Sequence, residues 1–212
     1  NAGVAEAVGP WTDRVYLSPN PDGSAAQLLA TIEYSGAPLA AGAGIPRSTS
    51  VVVPASHQGD RYLVVVTDAA TAVREFNELN NTTLSGATRV RRPNLRVASL
   101  TAPVSGRAGQ SVSVSWVVEN AGDGATFTTP WYDALYLSPN ADGSNGLYLG
   151  SVTHSDTLAA GASITRTGTI TLPVATPGDR YLVVVTDMWN AIAESDDSDN
   201  TGVDDAALTL QV

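Results

Sequence analysis

The ten letters GDRYLVVVTD stand at residues 59–68 and return unchanged at 178–187, 119 residues further on. The likeness spreads outward from them. At the same spacing LAAGAGIPRSTSVVVP (39–54) falls on LAAGASITRTGTITLP (158–173), and Glu75 and Asn81 fall on Glu194 and Asn200. At a spacing of 120, PWTDRVYLSPNPDGS (10–24) falls on PWYDALYLSPNADGS (130–144). Such a period is too long for a solenoid unit of roughly 20–50 residues and suits a whole domain. The chain reads as two related domains, 1–91 and 92–212.

The second copy shows what kind of domain this is. SVSVSWVVEN (111–120) alternates strictly, setting Val112, Val114, Trp116 and Val118 on one face and serines on the other. LRVASLTAP (95–103), WYDALYLS (131–138), LYLGSV (147–152) and SITRTGTITLP (163–173) read as further strands, and AALTLQV (206–212) as the last. RYLVVVTD (180–187) is a continuous apolar run, the pattern of a central strand. These make seven strands with no helical period, which predicts an all-β, immunoglobulin-like Greek-key sandwich. The decapeptide is then core, where volume and shape are tightly constrained.

The first copy starts at NAG (1–3), which matches NAG (120–122). Counterparts of 93–119 are missing from it, so the first sandwich is expected to be incomplete at its N-terminus. Five strands are expected there, with an open apolar face covered by something outside residues 1–90.

PNLRV (93–97), VSVSWVVENAG (112–122), WYDALYLS, GDRYLVVVTD and the closing REFNELNN (74–81) occur in an order that resembles the CARDB domain, the cell-adhesion-related domain found in bacteria. The second copy departs from the closing motif, with AESDDSDN (193–200) placing Asp199 where the first of two asparagines belongs. The resemblance implies an extracellular, non-catalytic β-sandwich module of a large surface or secreted protein.

Composition narrows the function classes. A net charge of −10 repels phosphate backbones, which argues against nucleic acid and anionic membranes as partners. No apolar run reaches the length of about 18 residues that spans a bilayer, so no membrane insertion is expected from this stretch. NAGVAEAVGPW lacks a basic start and an apolar core, so any signal sequence is expected outside these residues. With no cysteine, disulfides, thiolate metal sites and cysteine nucleophiles are excluded. All 11 basic residues are arginines, which removes lysine catalysis and lysine–asparagine cross-links. The two histidines, His57 and His154, occupy unrelated positions without a nucleophile motif and read as surface-loop residues, so no enzyme is expected.

Two patterns raise the question of metal. Ser138, Asn140, Asp142 and Gly143, like Ser18, Asn20, Asp22 and Gly23, imitate the start of a calcium loop, but Leu149 and Leu29 stand where its bidentate glutamate is required. These read as turns. The stronger candidate is the loop after the decapeptide. It carries Asp187, Glu194, Asp196, Asp197 and Asp199 in the second copy and Asp68, Glu75 and Glu78 in the first. Hard oxygen ligands at that density suit Ca²⁺; a solvated loop capped by its own side chains is the alternative.

Two function classes remain. One is a structural or adhesive repeat of an extended or filamentous assembly, its partners being further copies of the repeat or neighbouring subunits. The other is a module binding a surface glycan, with Trp189 in DMWNA as the stacking residue; the first copy has alanine at the matching place.

Overall fold

The computed structural model describes residues 1–127, 129–174 and 177–211. The chain divides into two compact units, Asn1–Val90 and Arg91–Val212.

In the first unit β1 (Trp11–Ser18), β2 (Gln27–Tyr34), β3 (Gly59–Val66) and β4 (Thr82–Val90) form one antiparallel sheet in the order β2-β1-β3-β4. A 3₁₀ turn, Glu78–Asn80, leads into β4. The second unit contains β5 (Leu95–Thr101), β6 (Ser105–Arg107), β7 (Ser111–Asn120), β8 (Trp131–Ser138), β9 (Leu147–His154), β10 (Ser163–Thr171), β11 (Gly178–Val185), β12 (Thr201–Val203) and β13 (Leu208–Gln211). One of its sheets runs β10-β7-β5; the other runs β6-β13-β11-β8-β9, with β12 also on β11.

The second unit is an immunoglobulin-like β-sandwich, and its alternation is why. β7 buries Val112, Val114, Trp116 and Val118 against Trp131, Leu135 and Leu137 of β8 and Leu182 and Val184 of β11, in one continuous core. The seven sequence-read strands are all present. β6 and β12 add to them, each of three residues and too short to show a period. β6 lies parallel to β13 and extends that sheet.

The first unit differs from expectation. It has four strands, not five, and the missing one is the stretch 45–53, whose counterpart is β10. β10 is held by β7 alone, over nine rungs from Ser163–Glu119 to Thr171–Ser111. The first unit supplies no counterpart of β7, so the same apolar pattern finds no ladder. Exposure within the repeated decapeptide records the loss. Val184 is fully buried, while its twin Val65 is 39% exposed.

Candidate functional site

Strand β8 turns Trp131, Asp133, Leu135 and Leu137 inward, so its alternation drives one carboxylate into the core. Asp133 survives there because it is surrounded by donors. Trp116 Nε1 donates to Oδ2 at 2.6 Å, Thr186 Oγ1 donates to Oδ1 at 2.8 Å, and His154 Nε2 lies 2.5 Å from Oδ2. Arg166 Nε donates to His154 Nδ1 at 2.7 Å. With Nδ1 taken as acceptor, the proton on Nε2 faces Asp133. The ring also stacks on Trp131, centroids 4.9 Å apart.

His154 is therefore a core residue at the end of β9, not the surface-loop histidine expected from sequence. The LYLGSV pattern ends at Val152, whereas β9 continues two residues further to His154. His57 is buried too, with Nε2 2.7 Å from Gln27 Oε1 and Nδ1 accepting from Arg61 Nε at 3.1 Å. In the first unit Asp13 takes the place of Asp133. Arg47 Nη1 donates to Asp13 Oδ2 at 2.8 Å, and the Asp68 amide donates to Oδ1 at 3.2 Å. Tyr34 replaces His154 and stacks on Trp11 at 4.0 Å.

The final Asp of the decapeptide is a turn clamp in both units. Asp187 and Asp68 adopt positive φ, 42° and 47°, in the left-handed region that Asp tolerates. The Asp187 carboxylate accepts from the amides of Ala191 (3.0 Å) and Ile192 (2.8 Å); Asp68 accepts from Ala72 and Val73, both at 2.8 Å. Burial pushes the Asp187 carboxyl up, and the charges of Asp197 and Asp133 add to the push.

Glu194 joins the loop to the sandwich. Its carboxylate accepts from the Leu95 amide, at the start of β5, and from Asn200 Nδ2 at 3.1 Å. It is 6% exposed. Burial pushes it up to about 7, against the pull of those two donors, with the charges of Asp187 and Asp197 acting the same way as burial. Asp199 accepts from Asn94 Nδ2 at 2.9 Å, while Asp197 stays exposed. The exposed Asp196 accepts from the Ser198 hydroxyl and amide, which hold it below the usual carboxylate range. In the first unit Glu78 accepts from the Glu75 amide at 2.9 Å and from Asn81 Nδ2 at 3.3 Å. The sequence-nominated acids thus serve mainly as acceptors for backbone and amide donors. Among the described residues no three acidic or histidine side chains are grouped so as to hold a metal ion.

The calcium-loop imitations are turns. Ser138 Oγ donates to Ser144 O at 2.6 Å, and Asp142 Oδ1 accepts the Ser144 amide at 2.9 Å; Ser18, Asp22 and Ser24 repeat the arrangement. Trp189 is 69% exposed, on a loop tied to β8 through Met188 N–H to Tyr132 O at 3.0 Å.

Sequence reading missed the Asp133 network, although the signal was present: an Asp recurs in the apolar register of both WTDRVYLS and WYDALYLS.

An immunoglobulin-like sandwich with a buried polar knot and acid-clamped turns defines a compact β-module. The CARDB family model matches residues 92–203, more than half of the chain. The chain belongs to the CARDB family of cell-adhesion-related domains. Among solved structures it is similar to the CARDB domain of a Pyrococcus furiosus protein solved in complex with di-metal ions, at 16% identity over 57% of this chain and 90% of that one (TM-score 0.42). It is also similar to residues 272–376 of a cell-surface protein of Methanosarcina acetivorans, at 23% identity over 57% and 93% (TM-score 0.44). A β-glucosidase of Listeria innocua matches at 19% identity over 59% of this chain and 17% of its own (TM-score 0.34). No curated protein matches the sequence.

Proposed function

We propose that the chain is a non-catalytic structural or adhesive repeat of a bacterial cell-surface or secreted matrix protein, one link in an extended or filamentous extracellular assembly. One observation carries this reading: the groups able to do chemistry are consumed in building the module. Asp133 and His154 show no side-chain surface to solvent, and Asp187 and Glu194 are spent on backbone amides. A general acid, base or nucleophile has to reach a substrate, and these do not.

The exposure of Trp189 favours a second reading, a glycan-binding module. Calcium uptake by the acidic loop stands beside it as a proposal, supported by the way the Asp197 charge raises both Asp187 and Glu194. An ion there would have to draw those two carboxylates off their backbone donors. A glycan array probed with wild type and Trp189→Ala, with and without Ca²⁺, separates these readings. The structural reading predicts no saturable, Trp189-dependent signal, and such a signal would make the chain a lectin-like module. Melts in EDTA and in millimolar Ca²⁺ decide the ion. A shift of several degrees that shrinks in Glu194→Ala and Asp197→Ala supports calcium, and superimposable melts leave the loop to its clamping role.

A further inference from the structure

The residues that β8 turns inward build the core of the second unit; those it turns outward build a different surface. Tyr132, Ala134 and Tyr136 alternate with the core residues, and across the ladder on β9 they face Thr153, Ser151 and Tyr148 in turn. Tyr148 is 51% exposed, Tyr132 and Tyr136 are half-buried, and Ser151 and Thr153 are exposed. Tyr136 and Tyr148 meet edge to face, with centroids 5.6 Å apart and planes at 67°. That contact orients the rings without using their hydroxyls. Among the described residues, the hydroxyls of Tyr132, Tyr136 and Tyr148 have no hydrogen-bond partner.

Resting on the reading of the chain as an adhesive repeat module, we propose that this outer face of β8 and β9 binds an extended neutral polysaccharide, a ribbon of β-linked hexoses. Charge selects the occupant first. None of the six residues is charged, in a chain whose net charge is −10. A polyanion is repelled by the chain as a whole, and a cationic partner is drawn to the exposed turn acids instead of to a surface without any. Chemistry selects it next. A hexose offers a C–H face that stacks on an aromatic ring and hydroxyls that pair with hydroxyls, and this face supplies both. Length selects it last. Tyr132 and Tyr136 stand four residues apart, about 13 Å along the strand, which is more than one sugar ring covers. The ligand is therefore a chain and not a monosaccharide.

The first unit provides the contrast. β1 and β2 pair as β8 and β9 do, but Thr12, Arg14, Tyr16, Leu28 and Glu33 stand where the second unit has Tyr132, Ala134, Tyr136, Tyr148 and Thr153. Two of the three rings are gone, and a cation and an acid have entered. The shared strand pair forms without the tyrosines, so holding the hairpin together does not account for them. Nor does the face need Trp189, which stands on the loop beyond β11.

The test titrates the full 212-residue chain by calorimetry with cellohexaose and mannohexaose, with glucose as the short probe and trigalacturonate as the charged one. Amide NMR spectra locate the site. At least one hexasaccharide should bind saturably and shift the resonances of Tyr132, Tyr136, Tyr148 and Ser151. Glucose and trigalacturonate should bind about tenfold or more weakly than that. Tyr148→Ala should weaken binding about tenfold, and Tyr148→Phe, which keeps the ring, by about threefold at most. Trp189→Ala and Tyr16→Ala should leave it unchanged. The proposal is overturned if neither hexasaccharide binds saturably, if Tyr148→Ala binds as tightly as wild type, or if trigalacturonate binds as well as the neutral chains. Shifts confined to the loop, with binding lost in Trp189→Ala, overturn it as well and make that loop the sugar site. Complete absence of binding removes this face as a ligand site and leaves the structural repeat standing, so the two readings fail separately.

Discussion

Asp133→Ala should destabilise the second unit by about 3–5 kcal/mol, the usual cost of removing one partner from a buried charged network. The change leaves Trp116 Nε1, Thr186 Oγ1 and His154 Nε2 in an apolar interior without their acceptor. An unfilled buried donor carries its full desolvation penalty, and three are stranded at once. For a domain of this size the melting temperature should drop by about 10–20 °C. Asp133→Asn should be far milder, about 1–2 kcal/mol. Its carbonyl oxygen can keep both ring N–H donors while its amide meets the Thr186 hydroxyl, which turns to accept. Denaturant unfolding of the three proteins checks both values. An alanine variant within 1 kcal/mol of wild type, as surface substitutions usually are, would show that the network contributes little.

The second large effect is a dependence on pH. The Glu194 carboxyl is raised from 4.5 to about 7 in the folded protein, chiefly by burial. Between those values the folded chain holds a proton that the unfolded chain has released, so stability falls as pH rises from about 4.5 to about 7 and levels off above. The whole loss amounts to about 3 kcal/mol. Asp187, raised as well, contributes with the same sign at the acid end of the window. The exposed turn acids Asp22, Asp142 and Asp196 are held low and titrate below it. Unfolding measured from pH 5 to pH 8 should show this decline in wild type and a nearly flat profile in Glu194→Gln. Wild-type stability that holds or rises across the range would contradict the burial of an unprotonated Glu194.

Much of the fold was legible because one face of each strand is buried. The alternation of Ser111–Asn120 and the unbroken run in Tyr181–Val185 each matched the environment observed, and the turn residues of 139–144 formed the turn expected of them. Misreadings occurred wherever structure depends on a partner distant in sequence. The stretch 45–53 carries a strand pattern and is not a strand, because pairing needs a second chain segment and pattern alone does not supply one. For Glu194 the sequence shows an acid in an acidic loop and nothing of its donor, the Leu95 amide 99 residues away. The acids drew attention by number, while their roles are set by which backbone donors the fold brings to them. His154 shows the same lesson from the other side, since two more residues of β9 turn a loop histidine into a core one.

The central claim is that two identical decapeptides differ because only one of them is roofed by β7. Native-state hydrogen exchange on the free chain tests it most directly. Tyr62–Val66 and Tyr181–Val185 have the same sequence, hence the same intrinsic exchange rates, and both lie between two hydrogen-bonded neighbours. Any difference in protection therefore reports the packing above them. The account predicts that Val64 and Val65 exchange about a hundredfold faster than Val183 and Val184. Protection equal within about threefold, a gap of well under 1.4 kcal/mol, would show that the first unit closes its core without the strand, and the account would be wrong.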